Sequence, residues 1–540
     1  MITGKQQFKL PINFDPSKAF ANGFAVITLF IILLCVYSNS FKVTWQYDDY
    51  LNIVKNTNIR FQELSWKAIS KSFYGINQDE SIVSRPISYL SFGINYYFDR
   101  YNIWGYHVVN FLIHFISAIF LFLFIKATLR LPVFRKHYEN YADAIALLVV
   151  FFWAPHPIHV TAVTYVVQRM ASMAGMFYII SMYFFLEART SSNRPCRVIF
   201  FGVCMLSAIL AFGSKENAVM LPFSLFLLDI MVLQVHCKKK LKVYWTIAVL
   251  ILLFMLLLSL YYVNWSKIVE SFHGRPFTFW QRLLTEPRVI NRYISLLFYP
   301  ISSRLTLLHD VQISTTLYSP FTTLPSILFL FGGMIGVLWW YRKNPFLAYC
   351  IIFFLLNHII EGSVIALELI YEHRNYIPSM LLFVPVAIGI IKVIDYFAYR
   401  PALQMFVAFC TIFVLAAQAH TTFYYNRIFQ NELTLWTDNV AKSPLLSAPH
   451  NNLGQALRMD GQTARAKHEF ETALKLDRYH NSWQKGVVLY NLGLHAAYEE
   501  YNYLKALGQL EKASRYIPSH SDLIQHKALV ALILGNQKYA

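Results

Sequence analysis

Residues 108–126 read VVNFLIHFISAIFLFLFIK, a run in which only His114 and the closing Lys126 can carry charge. A helix crosses a bilayer in about 20 mostly apolar residues, because the backbone must satisfy its own polar groups where no water reaches. This run meets that length. It is followed at once by Lys126, Arg130, Arg135 and Lys136, the pattern of a span anchored on the side that keeps positive charge.

The same alternation of apolar run and basic cluster extends in both directions. It gives candidate spans at about 20–38, 108–126, 142–155, 162–187, 198–213, 217–234, 244–263, 320–341, 346–360, 377–397 and 402–421. Arg189, Arg194 and Arg197 follow the fourth; the cluster from His236 to Lys240 follows the sixth. Arg342-Lys343 follows the eighth and Arg400 the tenth. With eleven crossings and a cytoplasmic N-terminus, every basic cluster falls on one side. The first run, Ala19–Tyr37, is long for a signal peptide and lacks a small-residue cleavage site, so it reads as a retained helix. The apolar stretch Pro287–Arg304 holds three arginines and is expected to lie at the interface.

Composition agrees. The chain has 540 residues, 56% hydrophobic, 17% aromatic and 14% charged, against about 45–50% apolar and about 25% charged for a soluble domain. The excess of 47 Lys+Arg over 29 Asp+Glu is spent on flanks between apolar runs, which argues for membrane orientation and against nucleic acid. Six cysteines are scattered singly with no metal spacing, so neither a disulfide framework nor a zinc site is indicated.

After Thr422 the long apolar runs end and charge rises. Asn452-Leu453-Gly454 followed by Ala466, Phe470 and Ala473 has the small/large pattern of a 34-residue two-helix repeat. Asn491-Leu492-Gly493 restarts it, with Ala506, Leu510, Ala513 and Pro518 after it, and Ser521–Leu534 reads as a capping helix. The expected fold is therefore all-α. A polytopic membrane domain spans residues 1–425, and a tetratricopeptide-type domain spans 426–540 on the face opposite the basic flanks.

Four polar clusters fall on that same face, and charge beside a membrane span is costly enough to suggest function. Asp48-Asp49 lies between Tyr47 and Tyr50 just beyond the first span; one carboxylate can act as general base toward a hydroxyl while the other orients the substrate or a metal. His156-Pro157-Ile158-His159, with Gln168-Arg169 after it, has two imidazoles but no third ligand nearby, so a phosphate or hydroxyl contact is favoured over metal. Ser214-Lys215-Glu216-Asn217 is a charged knot between two spans. In Glu372-His373-Arg374-Asn375-Tyr376, with Glu361 and Glu368 upstream, Arg374 can fork onto a phosphate. Singly, each has an ordinary structural reading, as a solvated acidic pair or a polar turn. Together, carboxylates with several cations suit a neutral nucleophile and a phosphate leaving group.

These motifs carry a resemblance. Tyr47-Asp48-Asp49, Arg85-Pro86-Ile87-Ser88-Tyr89-Leu90-Ser91-Phe92, Trp104-Gly105-Tyr106-His107-Val108-Val109-Asn110, the His156–His159 and Gln168-Arg169 pair, Ser214-Lys215-Glu216 and Glu372–Pro378 resemble the transmembrane and tetratricopeptide-repeat O-mannosyltransferases that act on cadherins. The resemblance runs in order along nearly the whole chain. It implies a C-superfamily glycosyltransferase fold, a polyprenyl-phosphate sugar donor, action on the non-cytoplasmic side and a catalytic acidic pair, here Asp48 and Asp49. On this reading Arg169, Lys215 and Arg374 meet the donor phosphate, and Arg85, His156, His159, Glu216, Glu372 and His373 are further polar site residues. No cofactor is expected, and a divalent metal is not favoured. The two or three repeats here, against many in animal relatives, leave a cadherin acceptor unsupported and favour a bacterial inner membrane over the endoplasmic reticulum, with the repeats periplasmic. The acceptor is then Ser/Thr of an extracytoplasmic protein. Two other classes stay open: a non-catalytic tether that recruits partners through its repeats, and a glycosyltransferase directed at a lipid or glycan.

Overall fold

The computed structural model describes residues 16–77, 80–234, 265–363, 365–476 and 482–535. The described elements are helices, and no strand occurs among them. Seven helices are long and apolar enough to cross a membrane: Ile103–Leu129, Val166–Thr190, Arg194–Phe212, Glu216–Leu233, Thr323–Trp340, Pro378–Tyr396 and Pro401–Ile428. Pro132–Trp153 and Pro157–Val163 form an eighth, bent by 57°, and Gly23–Val36 and Pro345–His358 are shorter apolar helices. Ten of the eleven expected spans thus coincide with apolar helices of this multi-pass membrane protein, and the expected span at 244–263, with the cluster from His236 to Lys240, lies outside the described residues.

Local chemistry explains where these helices start and break. Asn102 and Asn193 cap Ile103–Leu129 and Arg194–Phe212, each side chain accepting a backbone N–H of the first turn. The bend at 154–156 follows from Pro155 and Pro157, which lack an N–H to continue the ladder. The carbonyl oxygens left over are taken up by a neighbour: Gln418 donates to Phe152 O at 2.7 Å and Thr422 to Pro155 O at 2.5 Å. In lipid such oxygens must be met by protein.

One end of the bundle gathers the basic flanks. Lys126 and Arg130 both pair with Asp143, at 2.7 and 2.8 Å, Arg189 pairs with Asp229 at 2.6 Å, and the Tyr141 hydroxyl donates to Asp395 at 2.6 Å. The other end joins the candidate-site loops. Ile87 N donates to Gly213 O at 2.9 Å, and Thr44 N donates to Gln430 O at 3.2 Å. Of the stretch expected at the interface, Pro287 to Phe298 is the second part of the helix Phe279–Phe298, begun by a capping box between Thr278 and Gln281, and Ser302–Arg304 is a separate short turn. The longer helix is not among the candidate spans.

Beyond Ile428 the chain turns at Asn431 into the helix Glu432–Lys442, which docks on the outer loops; Lys442 Nζ donates to Leu305 O and Ser443 Oγ to Leu308 O, both at 2.8 Å. Two helix pairs follow, Ser447–Met459 with Thr463–Lys475 and Ser482–Tyr498 with Tyr503–Ser514, then Ser521–Ile533. The small residues sit where helices meet. A Cβ on Gly454 would lie 2.6 Å from the Phe470 ring, and one on Gly493 would lie 2.8 Å from Leu510. Asn491 donates to Asn451 Oδ1 at 2.8 Å, linking one pair to the next.

Candidate active site

The loop after the first helix holds two adjacent carboxylates in different surroundings. Asp49 is fully buried, and its two oxygens accept the backbone N–H groups of Gln46 and Val167 at 3.0 and 2.7 Å. Burial pushes its carboxyl up, opposed by those same two bonds. It is a clamp that ties the loop to the start of Val166–Thr190. Asp48 is only partly buried; its N–H donates to the Tyr165 hydroxyl at 2.8 Å, and burial raises its carboxyl against the pull of a Tyr165 hydrogen bond. A partly accessible carboxylate with a raised pKa is a better base than a solvated one.

The residue before the pair is strained. Tyr47 has φ of 38° and is held by its N–H donating to Glu432 at 3.0 Å and by its ring set edge-on to Trp436. Arg85, immediately before Pro86, also has a positive φ, 45°. A non-glycine residue there costs about 1–3 kcal/mol and persists where surrounding contacts over-determine it.

Arg85 leads into the cationic half of the site. Its Nε donates to Glu216 at 2.8 Å, while Lys215 Nζ lies 3.5 Å from Glu361. Arg374, 5% exposed, donates to the carbonyls of Glu368 and Leu369 at 2.7 and 3.1 Å and lies over the Tyr371 ring. Burial pulls the Lys215 ammonium down, and Glu361 opposes this. Burial, then Lys215, Arg374 and Arg85, holds the His373 imidazole well on the neutral side. Tyr371, stacked on His373 at 5.2 Å, is within electrostatic reach of both Asp48 and Arg374. Tyr89, whose hydroxyl donates to Asn52 at 2.6 Å, is likewise within electrostatic reach of Arg85, Glu216 and Asp48. Carboxylate and cations thus share one end of the bundle. Beside them a cavity of about 300 Å³ opens between Tyr47, Tyr371 and Phe277 on one wall and Leu446, Ala448 and Trp483 on the other.

No family model matches the chain, and no solved structure does. Curated proteins do. Protein O-mannosyl-transferase TMTC4 of Homo sapiens is 26% identical over 185 residues, 33% of this chain and 25% of that protein. TMTC4 of Mus musculus is 30% identical over 165 residues (29% and 22%), and tmtc2 of Xenopus laevis 30% over 164 (28% and 18%). By sequence, the chain is a relative of the TMTC protein O-mannosyl-transferases. The matched stretch covers a quarter or less of each of these relatives' length.

Not every residue singled out beside the TMTC likeness reaches this site. Arg169 is wholly buried, donating to Asn110 Oδ1 at 2.6 Å, Tyr106 O at 3.0 Å and Ser91 O at 3.3 Å, under the Phe92 ring. Its guanidinium thus ties the first turn of the helix Arg169–Thr190 to Asn110, Tyr106 and Ser91. Glu372 is similarly saturated, accepting from Thr306 N, His309 and the Tyr425 hydroxyl at 2.8, 3.1 and 3.2 Å. His156 caps the bend, accepting Ile158 N and bonding Leu297 O, while His159 is packed among Trp153, Tyr376 and His114. Both imidazoles are wholly buried.

Two residues were missed. Arg282 and Glu286, paired at 2.8 Å on Phe279–Phe298, are 0% and 4% exposed, and Arg282 also donates to Glu361 O at 2.6 Å. Burial pushes the Glu286 carboxyl up to about 7, against Arg282 and Arg374. Their i,i+4 spacing normally marks a surface pair, so the sequence signal pointed to solvent. Among the described residues no group of three or more His, Cys, Asp or Glu is placed to hold a metal ion.

Proposed function

We propose that this chain is a membrane glycosyltransferase that moves a sugar, mannose or another hexose, from a polyprenyl-phosphate-linked donor to Ser/Thr of an extracytoplasmic protein. The observation that carries this reading is the division between the two aspartates: Asp49 is spent on the backbone, while Asp48 keeps a partly accessible carboxylate at the end of the bundle where Tyr371 and Tyr89 also feel Arg374 and Arg85. Asp48 takes the proton of the acceptor hydroxyl as its oxygen bonds the anomeric carbon. The bond from that carbon to the phosphate oxygen breaks, and the added charge on the departing lipid phosphate is met by Arg374, Lys215 and Arg85. The proton ends on Asp48. Side-chain cations serve the leaving group, so the reading calls for no metal.

The names of the TMTC relatives support a protein acceptor. The cavity between the outer loops and the helices after Ser447 supports a place for it, and we assign those paired helices as a short tetratricopeptide module. A bacterial inner membrane, with this face periplasmic, is the setting we propose.

The test compares glycoproteomes of cells holding the natural protein, no protein, and Asp48→Asn. We expect O-linked hexose on extracytoplasmic proteins only in the first, with at least about 100-fold slower transfer by purified Asp48→Asn, the range for loss of a general base. Full activity in that variant would overturn the assignment. Binding without any transfer by the natural protein would leave a tether.

A further inference from the structure

At the opposite, basic end of the bundle a second cavity, of about 550 Å³, lies among helix ends. Its mouth carries His137, Arg342, Lys343 and Lys392, with Asp395 the one carboxylate in its lining. Asp395 already accepts the Tyr141 hydroxyl at 2.6 Å. Arg342, Lys343 and Lys392 are exposed, and Lys392 sits over the Tyr138 ring at 5.9 Å. The first turn of Pro345–His358 also lines it, adding the positive end of a helix. Deeper in, the wall becomes apolar, through Phe134, Ile145, Leu347, Ile388 and Ile391. Exposed Trp339, Tyr396 and Tyr399 ring the same end, at 78%, 81% and 97% exposure. Such aromatics mark the headgroup level of a bilayer.

A cationic mouth above an apolar wall at headgroup depth matches one ligand chemistry. We propose that this cavity binds the headgroup of an anionic phospholipid, its phosphate among Arg342, Lys343 and Lys392 and its acyl chain along Phe134, Leu347 and Ile391. The site is separate from the outer-end cluster, and its occupant is a resident lipid, not a reactant. Basic pockets between spans on the positively flanked side suit such headgroups.

The full chain, purified in a neutral maltoside, is titrated with dioctanoyl phosphatidylglycerol, with dioctanoyl phosphatidylcholine and with inorganic phosphate, following the thermal unfolding midpoint. We expect a saturable rise with phosphatidylglycerol alone. Arg342→Gln, Lys343→Gln and Lys392→Gln should each raise the half-saturating concentration by about fivefold, the worth of one basic residue near an anionic lipid. Arg135→Gln, on the same side but outside the cavity lining, should not. An equal rise with phosphatidylcholine or phosphate would overturn the proposal. So would an effect of Arg135→Gln as large as that of Lys392→Gln. Should one variant fail to fold, the other two read the same cavity.

Discussion

Asp48 and Asp49 show how far two identical neighbours can diverge once the chain is folded. The sequence marks both as costly charges beside a span, but only the fold tells which one is consumed by Gln46 N and Val167 N. Asp49→Asn can accept only through its single carbonyl oxygen, so one buried N–H is left facing an amide. That should cost roughly 1–3 kcal/mol and lower the thermal midpoint, whereas Asp48→Asn should hold the midpoint and lose turnover. Calorimetry beside an assay separates them, and equal midpoint losses would erase the distinction. Glu286 offers a second residue-level test. Its folded carboxyl lies near pH 7, above the ordinary carboxylate value. The folded state therefore binds the extra proton, and stability from it is full in acid and fades as pH rises through about 7. The midpoint of the natural protein should fall between pH 5.5 and 8.5, and Glu286→Gln should flatten that fall. Parallel slopes would show that Glu286 does not titrate there. Arg169 marks the limit of reading single residues. An arginine near a span end reads as an anion site, and nothing local says that Asn110, Ser91 and Tyr106, from two other helices, will use its donors.

Elements were more legible than side chains. Apolar length and basic flanks place the spans because lipid enforces both rules over many residues, so errors at single positions average out. The His156–His159 motif was readable, but neither the bend there nor its partner was, since Gln418 and Thr422 come from a helix more than 260 residues on. Replacing both, as Gln418→Leu with Thr422→Val, should destabilise the protein by about 1–3 kcal/mol, two hydrogen bonds at the worth found inside membranes. Reversible unfolding in mixed micelles would measure it. No change would mean that water or backbone adjustment satisfies those carbonyls. The helix Phe279–Phe298 was only half read. Its arginines suggested an interfacial position, while the inward turn of Arg282 and Glu286 depends on the loop carbonyls of Glu361 and Ser363 that receive Arg282.

For the whole molecule, composition places the chain in a membrane, while the junction between its parts is visible only in three dimensions. Glu432 holds the Tyr47 backbone, so the helix Glu432–Lys442 belongs with the outer loops in function. A truncation that separates the two parts should therefore follow Leu446. It should keep donor binding and small-acceptor turnover, and reduce modification of a protein acceptor about tenfold or more through lost effective concentration. Equal retention of all three, on equal amounts of folded protein, would show that the repeats do not present the acceptor. The same junction sets a clock. Thr44 bonds Gln430, Gln46 bonds Phe429 and Tyr47 bonds Glu432, across some 385 positions of chain. At about 5–20 residues per second of synthesis, the acidic loop emerges roughly 20 to 80 seconds before its partners exist. The newborn chain carries its first span and its aspartates through that interval without the frame that aims them. On the proposed reading, a copy that ends before Glu432 lacks that frame and should transfer no sugar.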